Sequence, residues 1–235
     1  EGSTTKGRDI RDGIDSGKFI GWDDPRLVTL KALRRRGIVK ETLLNLAKSQ
    51  GMSKQTTNID FRLIAAENRK ILDEKASRFF CIHKPVEIKI ENAPKLDIEL
   101  NLHPLSSRGG RRMKTDDSFL IEENDYDNIM KQKDGTICRL MDCLNFTKKG
   151  KTLLYHSTDY DSFKGRGKII IHWLALKEKL LDVEILMADM NTIKAKTEPS
   201  IVQVVEGEVI QFERFAFCRL DHKNSKVMRF WYTHD

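Results

Sequence analysis

Long apolar runs are missing from this chain of 235 residues. The longest mostly apolar stretch, 169–176, is far shorter than the roughly 20 residues a membrane-crossing helix needs. The first twelve residues are mostly polar and charged, which excludes a signal-peptide pattern there. A cytoplasmic protein with no membrane partner is therefore expected. Cysteine is scarce: Cys81, Cys138, Cys143 and Cys218 form no CxxC pair, and no Cys/His group has zinc-finger spacing. These read as reduced, buried thiols, with no metal site. No glycine-rich phosphate loop follows a strand, and strands and helices do not alternate, so a complete Rossmann domain is excluded.

What the chain has in plenty is charge: 42 Lys or Arg, 35 Asp or Glu, a net of +7. Residues 25–80 hold 13 basic against 5 acidic residues, more than the whole chain's excess. A basic surface confined to one region suits a face that tracks phosphates. The same region reads as helical. Asp24 is placed to cap a helix whose first residue is Pro25, with Leu27, Leu30 and Leu33 on one face and Gly37 as its stop. A second helix is expected over 40–50, and a third over 59–77 from the spacing of Phe61, Ile64, Ile71 and Ala76.

After Phe80 the texture changes. Val86, Ile88 and Ile90 alternate with Glu87, Lys89 and Glu91, a strand buried on one face. Further strands are expected at 97–102, 118–122, 136–140, 153–156, 168–173, 183–187, 208–220 and 226–232. Many short strands separated by turns suggest antiparallel barrels, and about 150 residues suffice for two. The Gly/Arg-rich segment 106–114 reads as a solvated loop able to meet phosphates.

Gly21-Trp22-Asp23-Asp24-Pro25-Arg26-Leu27, followed by Ala32-Leu33-Arg34-Arg35-Arg36-Gly37, resembles the segment after the nucleotide-binding domain in glutamyl- and glutaminyl-tRNA synthetases. Val209-Ile210-Gln211-Phe212-Glu213-Arg214-Phe215 resembles that family's C-terminal barrels, and His172-Trp173, His103-Pro104 and residues 121–126 follow in the family's order. The stretches 155–159, 207–215 and 232–235 look like archaeal glutamyl enzymes. The resemblance implies an α+β chain: a helical stem-contacting domain at 1–79, a proximal ribosomal-protein-like barrel at 80–132 plus 196–235, and a distal barrel at 133–195. It also implies that most of the catalytic domain is absent, with no HIGH-like motif. Ser3-Thr4-Thr5-Lys6 looks like a degenerate KMSKS loop, with Lys6 as its phosphate-stabilising lysine and a polar tail as the rival reading. Met52-Ser53-Lys54 imitates KMSKS by letters only, because it follows the GWDDPR segment.

For the anticodon, the resemblance assigns Arg78, Gln211 and Arg214 to the middle base, where Gln can answer both the donor and the acceptors of uracil. Lys131 stands where the family has an arginine for the third base, a departure that relaxes a preference for G. Arg139 matches one of two wobble-base arginines, and Met141 replaces the other. Arg34, Arg35, Arg36, Lys48, Lys54, Arg108, Arg111, Arg112 and Lys114 are the expected contacts to the tRNA backbone. The partner so implied is tRNAGlu, with tRNAGln as an overlap. The chain is expected to be a monomer without a cofactor; ATP and Mg²⁺ belong to the complete enzyme, and this piece alone would catalyse nothing. Competing readings are the C-terminal region of a glutaminyl enzyme, a standalone RNA-binding protein with ribosomal-protein-like barrels, and a protein-interaction module.

Overall fold

A computed structural model describes residues 6–50, 60–107, 109–224 and 227–235. It is an α+β chain with five α-helices among the described residues and many short strands. It divides into two compact units. The first comprises Glu1–Ser77, Glu184–Ile193 and Val204–Asp235; the second comprises Arg78–Val183 and Lys194–Gln203. No described helix is long and apolar enough to cross a membrane.

The first unit opens with a helix, Gly7–Asp15, for which no element was expected. Its Ile10 packs with Phe19, Leu27 and Ala32, and Ile14 flanks that cluster. The helix expected from Pro25 begins later, at Leu30, and runs to Arg36. Thr29, not Asp24, caps it: its Oγ1 accepts from the Ala32 N–H at 3.0 Å. Asp24 is fully buried and already engaged, accepting from the backbone of Ile20 (2.9 Å) and Arg26 (3.0 Å) and from the Arg26 guanidinium (2.8 and 2.6 Å). Leu30 is 73% exposed, so it does not share a buried face with Leu27 and Leu33. Gly37 does end this helix, with φ of 98°. The helix Lys40–Gln50 matches expectation, and the third runs Phe61–Leu72, capped by Asp60. It buries Ile64, Asn68 and Leu72, each four residues apart, as a helix face requires.

Three antiparallel strands lie in the same unit: Val209–Phe212, Ala216–Lys223 and Met228–His234. Gln211 lies opposite Phe217, and Cys218 opposite Tyr232. Polar contacts join these strands to the helices. Asn68 Oδ1 accepts from the Val39 N–H (2.9 Å) and the Thr42 hydroxyl (2.8 Å). Its Nδ2 then donates to the Gly37 carbonyl (3.2 Å) and to His234 Nε2 (2.9 Å).

The second unit contains a seven-stranded sheet that is nearly closed. Its order is Ile169–Ile171, Ile137–Leu140, Asn145–Lys149, Thr152–Ser157, Pro85–Glu91, Ser118–Glu122, Leu174–Ala175. The two edge strands are separated in sequence by His172 and Trp173 alone. A flat sheet of this size would be roughly 29 Å wide, whereas three Cα–Cα steps reach at most about 11 Å. The sheet therefore has to roll until its edges meet. His172 Nε2 bonds the Cys81 carbonyl (2.8 Å), and Trp173 donates to the Met141 carbonyl (2.9 Å), so both seam residues are satisfied while buried. Trp173 meets Phe119 edge to face at 5.5 Å inside the core. All four cysteines are buried and free. Burial pushes the Cys138 thiol up to about 11 and the Cys143 thiol up to about 12.

The strands Asn145–Lys149 and Thr192–Thr197 and the helix Glu123–Met130 were not expected. The Gly/Arg segment is also a correction. Gly110–Lys114 is a strand, paired antiparallel with Asp97–Asn101. Its residues alternate, with Arg111 and Met113 buried and Arg112 and Lys114 exposed.

Candidate nucleic-acid interface

The three consecutive arginines face three ways. Arg34 is exposed. Arg35 is pinned by Asp221 through two bonds of 2.8 Å and by Asp23 at 2.7 Å, with its guanidinium 4.2 Å from the Trp231 ring centre. The hydrogen bonds it donates to Asp221 raise its pKa further above the arginine range. Arg36 is buried over the Phe61 ring at 4.1 Å and donates to the carbonyls of Pro25 (3.4 Å) and Thr233 (3.3 Å). Burial lowers its pKa below the usual arginine value. Lys31, Arg34, Arg35 and Arg219, with Asp23, Glu206 and Asp221, line an open cleft of about 460 Å³. Arg219 was not anticipated as part of this surface; burial and then the neighbouring Arg34 and Arg35 lower its pKa.

Lys48 is exposed on the helix Lys40–Gln50, and Lys6 is exposed just ahead of the helix Gly7–Asp15. Lys54 and Arg108 lie outside the described residues, as do Ser3 to Thr5 of the degenerate loop. In the second unit Arg112 is exposed, with a two-point pair to Asp97 at 2.8 and 2.7 Å, and Lys114 is exposed. Arg111 is only 3% exposed. It forms a buried pair with Glu198 (2.9 and 2.7 Å) and lies 4.4 Å from the Phe80 ring centre. Glu198 also accepts the Phe80 N–H at 2.9 Å.

The residues expected at the anticodon are distributed between the units. Gln211 and Arg214 sit in the first, at the end of one strand and in the turn that follows it. The Gln211 N–H donates to the Ser77 carbonyl at 2.9 Å, while its side-chain Oε1 is buried without a hydrogen-bond partner among the described residues. Arg214 has φ of 61° and an exposed side chain. A left-handed conformation is uncommon for a residue other than glycine.

Arg78, Lys131 and Arg139 belong to the second unit. Arg78 is half-buried at the start of the strand Arg78–Phe79. Lys131 is the exposed C-cap of the helix Glu123–Met130, where a cation also complements the helix dipole. Arg139 is 7% exposed, and its Nη1 donates to Asn145 Oδ1 (2.8 Å), the Thr158 carbonyl (3.1 Å) and the Asp159 carbonyl (3.4 Å). Much of its bonding capacity thus holds a neighbouring loop.

The chain resembles known proteins at the level of families and of single relatives. Residues 3–74 match the family described as tRNA synthetases class I (E and Q), catalytic domain. Residues 76–157 match the family described as tRNA synthetases class I (E and Q), anti-codon binding domain. Glutamate–tRNA ligases of archaea are similar over almost the whole chain. That of Methanobrevibacter smithii is 35% identical over 226 residues, covering 95% of this chain and 39% of the ligase. That of Archaeoglobus fulgidus is 35% identical, covering 96% and 39%. That of Pyrococcus horikoshii is 33% identical, covering 100% and 42%. The chain thus spans about two fifths of the length of these relatives.

Proposed function

We propose, because the chain belongs to the class I tRNA synthetases of the glutamyl and glutaminyl kind, that it grips tRNA and reads its anticodon for a glutamate–tRNA ligase. The whole enzyme would activate glutamate with ATP and Mg²⁺ and transfer it to tRNAGlu in the cytoplasm. Lys131, a point donor where a forked arginine would favour G, fits a site that accepts the third anticodon base of tRNAGlu, or the third bases of both tRNAGlu and tRNAGln. The chain by itself would bind as a monomer and catalyse nothing; Lys6 would match the lysine of the ATP-phosphate loop.

The observation that carries the reading is the match of residues 76–157 to the anti-codon binding domain of these synthetases; the buried Oε1 of Gln211, unpartnered among the described residues, would meet a base once its side chain turns outward. An acceptor held without a donor costs about 1–3 kcal/mol. The N3–H of an unpaired uracil would answer it, while the amide N–H₂ of Gln211 answers a uracil carbonyl. Arg214 beside it and Arg78 would complete the contacts to the middle base. Arg139 and Lys131 would serve the wobble and third bases. Backbone phosphates would meet the exposed cations Arg34, Lys48, Arg112 and Lys114, with Lys54 and Arg108 beside them in sequence. Arg36 and Arg111 are buried, so in this reading they support the fold and do not touch RNA. The division into a helical domain at 1–79, a proximal barrel at 80–132 plus 196–235 and a distal barrel at 133–195 belongs to the same proposal.

The test compares the chain's affinity for tRNAGlu, tRNAGln and an unrelated tRNA at one salt concentration. Preference for the first two is expected. Gln211→Ala or Arg214→Ala should each weaken cognate binding by about 1–3 kcal/mol and the unrelated tRNA far less. Equal affinity for all three tRNAs overturns anticodon reading and favours a general RNA-binding module.

A further inference from the structure

The loop 158–168 carries an exposed aromatic ring and three exposed cations, and none of these four residues has been given a role so far. Tyr160 is 52% exposed. Lys164, Arg166 and Lys168 are exposed, and none forms an ion pair among the described residues. The loop is fixed from inside. Arg139 Nη1 and Asn145 Nδ2 both donate to the Asp159 carbonyl, the latter at 2.7 Å. The Lys168 N–H donates to the Ile137 carbonyl (3.0 Å) and closes the other end. Between these anchors two turns interlock, with Lys164 N–H on the Tyr160 carbonyl (2.9 Å) and Gly167 N–H on the Phe163 carbonyl (2.7 Å). Phe163 is the buried centre, 6.1 Å from the Tyr160 ring, and a Cβ at position 167 would collide with it. Of the loop's two carboxylates, Asp159 is used as an internal cap for Ser162 (2.7 and 2.9 Å), leaving Asp161 against three cations.

We infer that this loop is a clamp for one unpaired RNA nucleotide, with Tyr160 as the stacking platform for its base and Lys164, Arg166 and Lys168 as the contacts to the adjoining phosphates. Aromatic rings held rigidly at the surface of an RNA-reading domain stack bases at little entropic cost, and flanking cations follow the backbone. The Arg139 guanidinium, 5.5 Å from the Tyr160 ring centre, reinforces the platform from behind. Besides the wobble-base contact proposed above, Arg139 holds the loop through the Thr158 and Asp159 carbonyls. The clamp rests on the anticodon-reading proposal for its ligand: the base it takes lies in the anticodon loop.

The experiment uses the whole chain and a 17-nucleotide anticodon stem-loop of tRNAGlu, with 2-aminopurine placed in turn at each loop position. Binding should quench one position strongly. Tyr160→Ala should abolish that quench and weaken binding about 5–150-fold, the range expected when one base stack is removed, while Tyr160→Phe stays within about twofold. Changing Lys164, Arg166 and Lys168 together to Gln should flatten the plot of log affinity against log salt by about 2, as follows when three phosphates of a single strand are no longer neutralised. Unchanged quenching and affinity in Tyr160→Ala, with cognate preference intact, overturns the clamp and leaves anticodon reading standing. Weaker binding by Tyr160→Ala in a chain with no cognate preference supports the clamp and overturns anticodon reading. No binding to any stem-loop overturns both.

Discussion

The imidazole of His234 is held neutral by the way Asn68 is used. Asn68 Oδ1 accepts from the Val39 N–H and the Thr42 hydroxyl, so the side of the amide that faces His234 is the N–H₂. His234 Nε2 must therefore accept, leaving no place for a second ring proton. Burial lowers its pKa, and the nearby Arg69 and Arg36 push the same way. A histidine depressed in the folded state stabilises the fold above its unfolded pKa of about 6.5, and that stability fades as pH falls toward the folded value, since only the unfolded chain takes up the proton there. Urea midpoints should thus drop between pH 7 and pH 5, and His234→Gln, whose amide oxygen can accept from Asn68, should flatten the drop. An unchanged slope in the variant would show that the carboxylates set the acid limit. Asp24 and Asp221 are the first of those to consider: burial raises each, but hydrogen bonds from arginine, and for Asp24 from backbone N–H groups, outweigh it, so their contribution fades only as pH falls from the ordinary carboxylate value toward the lower folded one. None of this was legible in the sequence, where His234 is one letter in a family-like ending and its partner lies 166 positions away.

At the scale of elements, strands were read more surely than helix starts, and the reason is physical. The alternation of 86–91 is a property of the pleat and needs no knowledge of what lies above it; Pro25–Arg26 as a helix opening depends on whether Asp24 is left available to cap. It is not, because four donors already occupy its oxygens. The consequence is a ranking of two substitutions. Thr29→Ala removes the actual cap of Leu30–Arg36 and should cost about 0.5–2 kcal/mol. Asp24→Ala strips charged hydrogen bonds from the backbone N–H groups of Ile20 and Arg26 and from the Arg26 guanidinium, and should cost about 3 kcal/mol. Chemical denaturation of the two variants decides the matter, and the reverse order would restore Asp24 as the helix cap. Gly37 was legible for a reason that does hold: at φ of 98° an added Cβ would sit 2.5 Å from Thr233 Oγ1, so the stop is required by both conformation and space. The segment 106–114 failed in the opposite sense. Its glycines suggested a loop, but Arg111 is fixed in a strand by Glu198, a partner 87 positions away.

For the molecule as a whole, the same charge type does two jobs, and salt separates them. An excess of basic residues over 25–80 and a net of +7 predict affinity for a polyanion, yet composition counts Arg36 and Arg111 equally with Arg34 and Lys48. The first two are buried and the last two exposed. Binding of tRNA through phosphates releases counterions, so removing one cation that meets a phosphate should reduce the salt slope of log affinity by somewhat under 1. Arg34→Glu with Lys48→Glu should therefore flatten that slope by about 2 while leaving the urea midpoint nearly unchanged. Arg111→Met should do the reverse. It leaves Glu198 charged and buried without its partner, a decrease of about 3–5 kcal/mol in stability, and where the variant stays folded its salt slope should match the parent chain. Adding Glu198→Gln to Arg111→Met should recover part of that stability, because a neutral amide can still accept the Phe80 N–H without a buried charge. A flattened slope in a folded Arg111→Met chain would place Arg111 among the residues that meet phosphates after all.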